Sequence, residues 1–483
     1  MITLYNTLSG TKEPLVPLHP GEVRIYVCGP TPYAEAHVGH ARPAVVWDVL
    51  KRHFRYRGLQ VRHVQNFTDI DDKIIQRARE EGQDPAALAG RHIREYLAAL
   101  DALGVEPADF YPRVTEHIPL IEAFIQGLVD RGYAYAAGGD VYFRVARKAD
   151  YGKLSHRSPA ELAAGARVAP EPNKEAPADF ALWKASEADE PGWDSPWGRG
   201  RPGWHIECSA MSRAYLGDRF DLHGGGLDLI FPHHENEIAQ SEALTGQPPV
   251  SIWVHNGLVT MDEVKMSKSL GNGVSLRELL ARYPAHVLRT YLVSVHYRSP
   301  LAFSEEGLAA WGRAVERVAR LWEEVAGARF GVSMPEEPWG EQLWTFPERM
   351  AAALDDDFNT PQALAELFEL VRDGFRLLGE LEGADNLTAR SLLRRALSTA
   401  NGIFGILPLQ AREAAPGVPE NGLARRLARW REEARQARNW ELADAIRQQL
   451  EAAGWEVQDL PEGTRIRRRS SRPAEGADDG EAR

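Results

Sequence analysis

The chain has 483 residues, of which 43% are hydrophobic and 26% are charged. This is the composition of an ordinary soluble globular protein, so collagen-like and wholly disordered chains are excluded, and the length suggests roughly three domains. Lysine and arginine total 57 against 69 acidic residues, a formal net charge of −12. Such a charge repels a polyanion overall, so any contact with nucleic acid has to be local.

The sequence predicts a cytoplasmic protein with no membrane partner. No apolar run approaches the roughly 18 residues that a membrane-spanning helix needs, and residues 1–15 lack the basic and apolar segments of a signal peptide. The chain has 2 cysteines, too few for the disulfide framework of a secreted scaffold. Cys28 and Cys208 should therefore each be free or bound to a ligand.

A β-α-β unit is predicted at the start of the chain. Two strands joined by a crossover helix are parallel, and ligands bind beyond the carboxyl ends of such strands. Cys28 and Thr68 should therefore lie at the ligand-binding edge of a sheet. The predicted elements are a strand over 24–28, a helix from about 38 that ends at Gly58, a strand over 61–67 and a helix that ends at Gly82.

The alternation of strands and helices breaks between about residues 107 and 202, a stretch rich in glycine, proline and alanine that we interpret as an insertion. Alternation resumes with FDLHGGG as a strand running into a glycine turn, a helix opened by Pro232, and the strand SIWVHNG. Apolar residues at helical spacing then predict a bundle. The segments that complete the chain are a helical bundle over 301–407, a linker over 408–422, a small unit over 423–469 and a disordered tail over 470–483.

The string HVGH follows the first predicted strand, where a glycine-bearing turn enters a helix. Unpaired backbone N–H groups and the helix dipole favour a phosphate at such a position. His37 and His40 are three residues apart and share a face, and Gly39 leaves room for a flat ring to approach the backbone. Histidines near a helix start are also common as surface or core polar groups, so this motif alone leaves both interpretations open.

The string KMSKSLGN carries two ammonium groups three residues apart, among serine and glycine in a predicted loop. Lys265 and Lys268, with Ser267 between them, could neutralise charge that builds on a polyphosphate as it is cleaved. An exposed lysine loop is the alternative for any single motif of this kind. The occurrence of HVGH and KMSKS in one chain, in this order, favours the phosphate-binding interpretation.

Cysteine, histidine and glutamate side chains form a candidate zinc set, Cys28, Cys208, His233 and Glu237. His233 and Glu237 are four residues apart at the start of a predicted helix, so their side chains point the same way. His234 and Glu235 would lie about 100° and 200° around that helix and should point elsewhere. The alternatives are a pair of inert buried thiols, a disulfide, or a polar cluster on the helix surface.

The sequence resembles those of the cysteinyl-tRNA synthetases, which are aminoacyl-tRNA synthetases built on a Rossmann-like fold. The resemblance spans nearly the whole chain and rests on VCGPTPYAEAHVGHAR, NFTDIDDKI, PRVTEH, GWHIECSAM, DLHGGGLDLIFPHHENEIAQ, KMSKSLGN, DDDFNTPQAL and NWELADAIRQQL. It implies an α/β fold with a Rossmann-like parallel-sheet catalytic domain over 1–300, which contains the insertion and a KMSKS loop at 265–269. The bundle would then bind tRNA, and 423–469 would be an anticodon-binding unit.

The resemblance also implies roles for individual residues and partners. It implies one zinc ion per subunit on the four candidate ligands, joined by the sulfur of the bound substrate L-cysteine, with tRNA(Cys) as acceptor and a monomeric enzyme. Catalytic roles fall on His37, His40, Lys265 and Lys268, with Lys268 the most critical lysine. ATP with Mg²⁺ would be bound by His37, Gly39, His40, Lys265, Ser267 and Lys268. Gly29, Thr31, Thr68 and Trp204 would contact the substrate, and Asp228 would lie near its ammonium group.

A thiolate-binding zinc ion would let such an enzyme reject serine and alanine, so we expect no editing domain. An apolar pocket separates substrates of such similar size by only about 1 to 3 kcal/mol. Neither a hydroxyl nor a methyl group replaces a thiolate on zinc.

Three rival functions remain at the level of sequence. The paralogous ligase of mycothiol synthesis joins cysteine to an amino sugar and lacks the unit after about residue 423. A zinc hydrolase would use His233 and Glu237 but leave HVGH and KMSKS without a role. A non-catalytic RNA-binding descendant would be expected to have lost lysines or metal ligands, all of which are present. KIIQ at 73–76 departs from the KIIK string linked to persulfide formation in some relatives, so that side activity is not assigned.

Basic and aromatic residues of the C-terminal unit suit phosphate contacts and base stacking. They are Arg425, Arg426, Arg429, Arg435, Trp430 and Trp440. The tryptophans suit a helical core equally well, because NWELADAIRQQL has an apolar stripe of its own.

Overall fold

A computed structural model describes residues 1–157, 173–261, 264–265, 273–328, 337–408, 420–436, 438–452, 455–460 and 463–468. The chain divides into two compact units, residues 1–409 and 410–483.

The strands of the first unit are β1 (Thr3–Asn6), β2 (Thr11–Pro14), β3 (Glu22–Val27), β4 (Gln60–Gln65), β5 (Ala134–Ala137), β6 (Asp140–Phe143), β7 (Phe180–Ala185), β8 (Gly200–Pro202), β9 (Phe220–Gly226), β10 (Val250–Asn256), β11 (Val259–Met261), β12 (Val264–Lys265) and β13 (Leu301–Ala302). Its helices are α1 (Val38–Tyr56), α2 (Asp72–Glu81), α3 (Pro85–Ala102), α4 (Ile118–Asp130), α5 (Trp204–Leu216), α6 (Glu235–Thr245), α7 (Leu276–Arg282), α8 (Ala285–Leu292), α9 (Glu305–Val325), α10 (Pro338–Asp355), α11 (Thr360–Glu380) and α12 (Gly383–Phe404).

A four-stranded parallel sheet lies at the centre of this unit, in the spatial order β10-β9-β3-β4. The predicted β-α-β unit is confirmed, because β3 and β4 pair in parallel on either side of the crossover helix α1. Gly82 ends α2 in the left-handed conformation that glycine adopts without steric cost. All four strands point their carboxyl ends to one edge of the sheet, so the segments that follow them are brought together there.

The stretch predicted as an insertion departs from the parallel pattern. It contains α4 and an antiparallel sheet in the order β5-β6-β7-β8. A further small sheet, in the order β12-β11-β13, follows the central sheet, and β1 and β2 form an N-terminal hairpin. In the sequence, smaller sheets therefore occur before, between and after the strands of the central sheet.

The helices α9 to α12 pack along buried apolar stripes, as the helical spacing predicts. Their core is continuous with that of the parallel sheet, because residues such as Val45, Leu288 and Leu393 belong to one hydrophobic cluster. The change near residue 300 is therefore a change of architecture within one packed unit. No helix among the described residues combines the length and the apolar character needed to cross a membrane.

The second unit consists of α13 (Glu420–Gln436), α14 (Trp440–Ala452) and the antiparallel hairpin of β14 (Trp455–Leu460) and β15 (Gly463–Arg468). Trp430 is 1% exposed and belongs to the helical core, which removes it as a base-stacking candidate, whereas Trp440 is 58% exposed. The side chains of Arg425 and Arg426, most of the predicted linker and the predicted tail lie outside the described residues.

Candidate active site and metal centre

The carboxyl edge of the central sheet gathers most of the predicted site residues. Cys28 directly follows β3, and its N–H donates to the carbonyl of Gly224 on β9 at 3.1 Å. Thr68 follows β4, and His233 follows β9. The parallel arrangement of the sheet therefore accounts for the meeting of segments that are far apart in the sequence.

Three of the four predicted metal ligands, Cys28, His233 and Glu237, have ligand atoms within 4.8 Å of one another at this edge, and Cys208 lies beside Cys28. Cys28 Sγ is 3.6 Å from Cys208 Sγ and 3.5 Å from Glu237 Oε1. His233 Nε2 is 3.0 Å from the same Glu237 oxygen. Bond lengths of 2.0 to 2.3 Å in a tetrahedral zinc site place neighbouring ligand atoms about 3.3 to 3.8 Å apart. Both Cys28 distances lie in this range and the His233–Glu237 distance is shorter, while the donor types are those that zinc binds.

His234 also belongs to this cluster, which corrects the expectation that it points elsewhere. One ligand atom from each of Cys28, His233, His234 and Glu237 lies within 4.8 Å of the others, and His234 Nε2 is 3.3 Å from Cys28 Sγ. The expectation assumed a regular helix from Pro232. The chain instead makes an irregular turn over 230–234, with Phe231 in an extended conformation, and α6 begins only at Glu235.

The glycine triplet of β9 makes room for this arrangement. FDLHGGG was expected to be a strand ending in a glycine turn, but all seven residues belong to β9. A Cβ on Gly224 would lie 2.0 Å from the ring of Trp47, and one on Gly225 would lie 2.6 Å from the ring of His234. Gly224 and Gly225 therefore allow the rings of Trp47 and His234 to pack directly on the strand, and they do not form a turn.

The sequence analysis missed two further histidines, which lie next to the cluster. His223 Nε2 is 3.4 Å from Cys28 Sγ. His255 Nε2 is 2.8 Å from His234 Nδ1, and its Nδ1 is 2.7 Å from Thr7 Oγ1. His223 precedes the glycine triplet of β9 and His255 is the next-to-last residue of β10, and a histidine inside a predicted buried strand was the available signal.

Burial controls the protonation of the cluster. It raises the pKa of the Cys28 thiol well above its usual range and that of Cys208 to about 12. It also raises the pKa of Glu237 to about 7 and lowers that of His233 to about 3. The buried side chains by themselves favour neutral forms, and a divalent cation is the kind of charge that would stabilise the thiolates and the carboxylate.

The predicted substrate contacts surround this cluster. The Trp204 ring is 42% exposed and lies over His233, with ring centroids 4.4 Å apart. Buried Thr68 donates its hydroxyl hydrogen bond to the carboxylate of Glu207, whose pKa burial raises well above the usual range. Asp228 lies close enough for its charge to favour protonated His233.

Gly29 and Thr31 lie in the segment that joins Cys28 to HVGH. The N–H of Gly29 donates to Asn66 Oδ1 at 2.8 Å. The Thr31 carbonyl accepts a hydrogen bond from the N–H of Tyr33 at 3.0 Å. This segment therefore carries the chain from the candidate metal ligand to the candidate phosphate site.

Replacing Gly29 with alanine should disrupt this edge of the sheet. A Cβ at Gly29 would lie 1.6 Å from the backbone oxygen of Asn66, so the ends of β3 and β4 would have to separate. We expect a loss of stability of about 1 to 3 kcal/mol, as for other overpacked sites, together with loss of bound metal, measured by thermal denaturation and metal analysis.

The matched control for Gly29→Ala is Gly90→Ala on α3. A Cβ at Gly90 has its nearest neighbour, Arg94, at 3.5 Å, which is an ordinary contact. That variant should be as stable as the parent or slightly more stable, since alanine favours a helix interior over glycine. A Gly29→Ala protein that kept its melting temperature and its metal would contradict the close approach.

The HVGH string forms the N-terminus of α1 and fixes both of its own histidine rings. His37 Nδ1 accepts a hydrogen bond from the N–H of Gly39 at 3.0 Å, and His40 Nδ1 accepts one from the N–H of His37 at 3.2 Å. A neutral imidazole that accepts at Nδ1 carries its hydrogen on Nε2. The cap therefore makes both rings Nε2–H donors, with their centroids 4.0 Å apart.

The described residues that follow the KMSKS string lie beside HVGH. The backbone of Lys265 pairs with Thr260 in the β11–β12 ladder, whereas Ser267 and Lys268 lie outside the described residues. The chain after the loop is joined to the start of α1, because Val38 N–H donates to the Val274 carbonyl at 3.1 Å. A cleft of about 790 Å³ opens here, lined by residues that include His37, Gly273, Lys73 and Gln76.

Two family descriptions match the chain. Residues 14–312 match "tRNA synthetases class I (C) catalytic domain", and residues 349–408 match "DALR domain". The first match alone covers well over half of the chain.

Curated relatives are similar over nearly their full length. A protein of Heliobacterium modesticaldum named cysteine–tRNA ligase is 49% identical over 479 residues, which cover 96% of this chain and 99% of that protein. A protein of Carboxydothermus hydrogenoformans with the same name is 47% identical over 467 residues, with coverage of 96% and 99%.

Solved structures share the fold at low identity. A Mycobacterium tuberculosis methionyl-tRNA synthetase in complex with methionyl-adenylate is 17% identical, with a TM-score of 0.63 over 80% of this chain and 92% of that chain. A putative arginyl-tRNA synthetase of Campylobacter jejuni is 14% identical, with a TM-score of 0.57 over 80% and 93%. These structures bear on the fold alone.

Proposed function

The chain belongs to the cysteine–tRNA ligases, a family of class I aminoacyl-tRNA synthetases, and we propose that it activates L-cysteine with ATP and transfers it to tRNA(Cys). A carboxylate oxygen of cysteine forms a bond to the α-phosphorus of ATP, and the bond to the departing pyrophosphate breaks. A ribose hydroxyl at the end of the tRNA then attacks the carbonyl carbon of cysteinyl adenylate, and AMP leaves.

The observation that carries this proposal is the juxtaposition of a thiol-containing donor cluster and a phosphate-binding helix start at one sheet edge. The segment from Cys28 to His37 joins the two directly. An enzyme that recognises a sulfur atom and activates the neighbouring carboxyl group needs both sites within the length of one amino acid and one nucleotide. Holding the reactants in this way removes much of the entropy cost of bringing them together.

We propose that Cys28, Cys208, His233 and Glu237 hold one zinc ion, with His234 as a further donor of the cluster. The donor set fits the ion, since two thiols, imidazoles and a carboxylate lie at one edge of the sheet, with both Cys28 distances in the range of tetrahedral ligation. When bound, zinc supplies a site for a soft thiolate that neither the hydroxyl of serine nor the methyl group of alanine replaces. Selection at this site would make an editing domain unnecessary.

His37 and His40 serve the ATP phosphates in this proposal. Both rings present Nε2–H groups at the N-terminus of α1, where the helix dipole also favours negative charge. Gly39 leaves the rings and the nucleotide room, because a Cβ there would lie 2.7 Å from the His37 ring. Lys265, Ser267 and Lys268 would approach the same phosphates from the adjoining loop, with Mg²⁺ accompanying the ATP.

The remaining substrate roles follow the positions of the side chains at the sheet edge. Trp204 is exposed over His233 and could cover the substrate side chain, and Asp228 carries the negative charge that suits an ammonium group. Gly29 and Thr31 lie on the segment between Cys28 and HVGH, and Thr68 follows the neighbouring strand β4. Thr68 donates its hydroxyl hydrogen to Glu207, so it could meet the substrate only as an acceptor.

The helices over 301–407 and the unit over 423–469 would bind the tRNA. Exposed Trp440 is the better stacking candidate of the two tryptophans in the second unit. Arg435 forms a salt bridge with Asp459 at 2.7 Å in the same unit, so its charge is partly neutralised there. We expect a cytoplasmic monomer.

The proposal is tested by cysteine-dependent exchange of pyrophosphate into ATP, with cysteine and serine side by side, before and after chelation of metal. We expect exchange with cysteine alone and its loss on chelation. Exchange that ran equally on serine, or survived complete metal removal, would defeat the selectivity argument.

The acceptor decides between the family function and its rivals. The enzyme should charge tRNA(Cys) and leave an amino sugar unmodified, whereas the mycothiol ligase would do the reverse. Metal-dependent hydrolysis without ATP turnover would favour the zinc hydrolase.

A further inference from the structure

Arg42 lies two residues after His40 on α1 and is completely buried. Its guanidinium group donates four hydrogen bonds, all to backbone carbonyl oxygens. One nitrogen, Nη1, donates to the carbonyl oxygens of Gly257 at 2.9 Å and Leu258 at 3.1 Å. The other, Nη2, donates to those of His296 at 3.2 Å and Ser299 at 2.6 Å. Arg42 therefore joins two separate segments of backbone to the helix that carries HVGH.

Both segments lead into the small sheet formed by β11, β12 and β13. Gly257 and Leu258 connect β10 to β11, and residues 296–299 connect α8 to β13. The strands β11 and β13 pair in parallel, and β11 also pairs with β12, which ends at Lys265. The position of β12 thus depends on the two segments that Arg42 holds.

The two segments touch each other where Arg42 holds them. A Cβ on Gly257 would lie 2.2 Å from the Ser299 carbonyl oxygen. The N–H of Gly257 also donates to the Tyr297 carbonyl at 2.7 Å. Their separation is therefore fixed within narrow limits, and a change at Arg42 would alter it.

The residues that follow the KMSKS string are also hydrogen-bonded to the start of α1. Val38 N–H donates to the Val274 carbonyl at 3.1 Å, and Leu276 N–H donates to the Ala36 carbonyl at 3.0 Å. Backbone bonds thus fix residues 274–276 beside HVGH, while the Arg42 side chain fixes the approach to Lys265. Both ends of the segment between Lys265 and Gly273 take their position from the first turns of α1.

The chemistry of Arg42 indicates a bridging role rather than ordinary packing. No carboxylate among the described residues pairs with its guanidinium group, and its Nε has no hydrogen-bond partner there. Burial lowers its pKa to about 10, which leaves the group charged at neutral pH. A buried unpaired charge is costly, and a planar fork of donors can bridge two segments in a way that a lysine ammonium cannot.

We propose that Arg42 is a positioning residue for adenylate formation, which sets the separation between the HVGH histidines and the entry to the lysine loop by bridging residues 257–258 and 296–299. This inference rests on the proposed function, in which both motifs act on the ATP phosphates. It assigns Arg42 to the first of the two reaction steps and to ATP rather than to cysteine or tRNA.

The variant Arg42→Lys tests the proposal. A displacement of about 1 Å between reacting groups costs on the order of 100-fold in rate, so we expect the kcat of cysteine-dependent pyrophosphate exchange to fall about 10- to 100-fold. The KM for ATP should rise, and the KM for cysteine should stay within about twofold of the parent value. The rate at which supplied cysteinyl adenylate is transferred to tRNA should not change.

Arg289→Lys is the matched control. Arg289 is also buried, and it donates to the carbonyl oxygens of Leu103 and Phe404 and to Asp48 rather than to either of the two segments that Arg42 bridges. That variant should lower the melting temperature without changing the kcat of exchange. If it lowered kcat as much as Arg42→Lys, the effect at Arg42 would be general destabilisation and the proposal would be wrong.

A second variant covers the case in which Arg42→Lys does not fold. Arg42→Gln buries no charge and keeps two amide N–H donors, so it should fold and show the same split between ATP and cysteine. A folded Arg42 variant with the parent kcat and KM for ATP would overturn the inference. Absence of cysteine-dependent exchange in the parent enzyme would instead overturn the proposed function itself, so the two failures are distinguishable.

Discussion

Replacing Cys208 with serine should remove most of the bound zinc and lower cysteine-dependent adenylate formation by more than about 100-fold. Substituting an outer partner of a zinc site already costs about 10- to 100-fold in affinity or activity, and loss of a thiolate ligand should cost more. Cys208 is 1% exposed and lies 3.6 Å from Cys28 Sγ, so the serine hydroxyl would face the same cluster without supplying a thiolate. Metal analysis of the purified protein and pyrophosphate exchange measure the two effects.

The matched control is Ser209→Ala, the neighbouring buried residue on α5. Its hydroxyl bonds to the Glu237 carbonyl at 3.4 Å and supplies no thiol or imidazole to the cluster. That variant should keep its zinc and most of its exchange activity. Retention of full zinc and activity by Cys208→Ser would contradict the assignment of Cys208 as a ligand.

His234→Asn decides between the two possible compositions of the cluster. His234 Nε2 faces Cys28 Sγ at 3.3 Å, while its Nδ1 lies 2.8 Å from His255 Nε2. We expect this variant to retain more zinc than Cys208→Ser, because an imidazole that supports the site from outside costs less to lose than a thiolate ligand. The reverse order would place His234, rather than Cys208, among the ligands.

Replacing His40 with alanine should lower the kcat of adenylate formation about 100- to 1,000-fold, the usual cost of removing one donor that stabilises transition-state charge. The imidazole Nδ1 of His40 accepts the N–H of His37, so the neutral ring carries its hydrogen on Nε2. The KM for cysteine should change little, because the side chain acts on ATP. Pyrophosphate exchange at varied ATP and cysteine concentrations measures both quantities.

His40→Asn separates the structural part of this role from the chemical part. An asparagine side-chain oxygen can accept the His37 N–H as the N3 residue of a capping box does, but it places no donor at the position of Nε2. This variant should fold as the parent does and yet be as slow as His40→Ala, whereas His40→Gln, whose amide reaches further, should recover part of the rate. Full activity of His40→Asn would show that the cap alone accounts for the histidine.

Local pattern in the sequence predicted the elements that place the site. The strand before Cys28, the helix after HVGH and the second strand form a β-α-β unit, and the parallel pairing of β3 with β4 follows from that connection. His233 and Glu237 also lie together as predicted, with Nε2 and Oε1 3.0 Å apart, although His233 precedes α6 and the regular helix assumed there is absent. These predictions depend only on neighbours in the sequence and on rules of connection.

The family assignment also came from local sequence, because it rested on strings that include HVGH and KMSKS. HVGH after the first strand and KMSKS later in the chain are strings that can be read without coordinates. The match of residues 14–312 to a class I catalytic domain and the full-length relatives agree with that assignment.

Long-range packing decided the features that the sequence did not reveal. His234 reaches Cys28 because the turn over 230–234 is irregular and because Gly225 has no side chain to block the ring. A helical-wheel argument assumes a regular helix, so it could not anticipate either condition. His223 and His255 likewise join the site only through the pairing of β9 with β3 and β10.

The role of Arg42 also depends on long-range packing. In the sequence it is one more arginine on an amphipathic helix, where an exposed position is the ordinary expectation. Its burial and its four carbonyl partners arise from segments more than 200 residues away in the chain. The sequence by itself determined which chemical groups are present and which strand ends they follow. The tertiary structure alone decided which of those groups meet, because their meeting depends on close packing between distant segments that no local periodicity encodes.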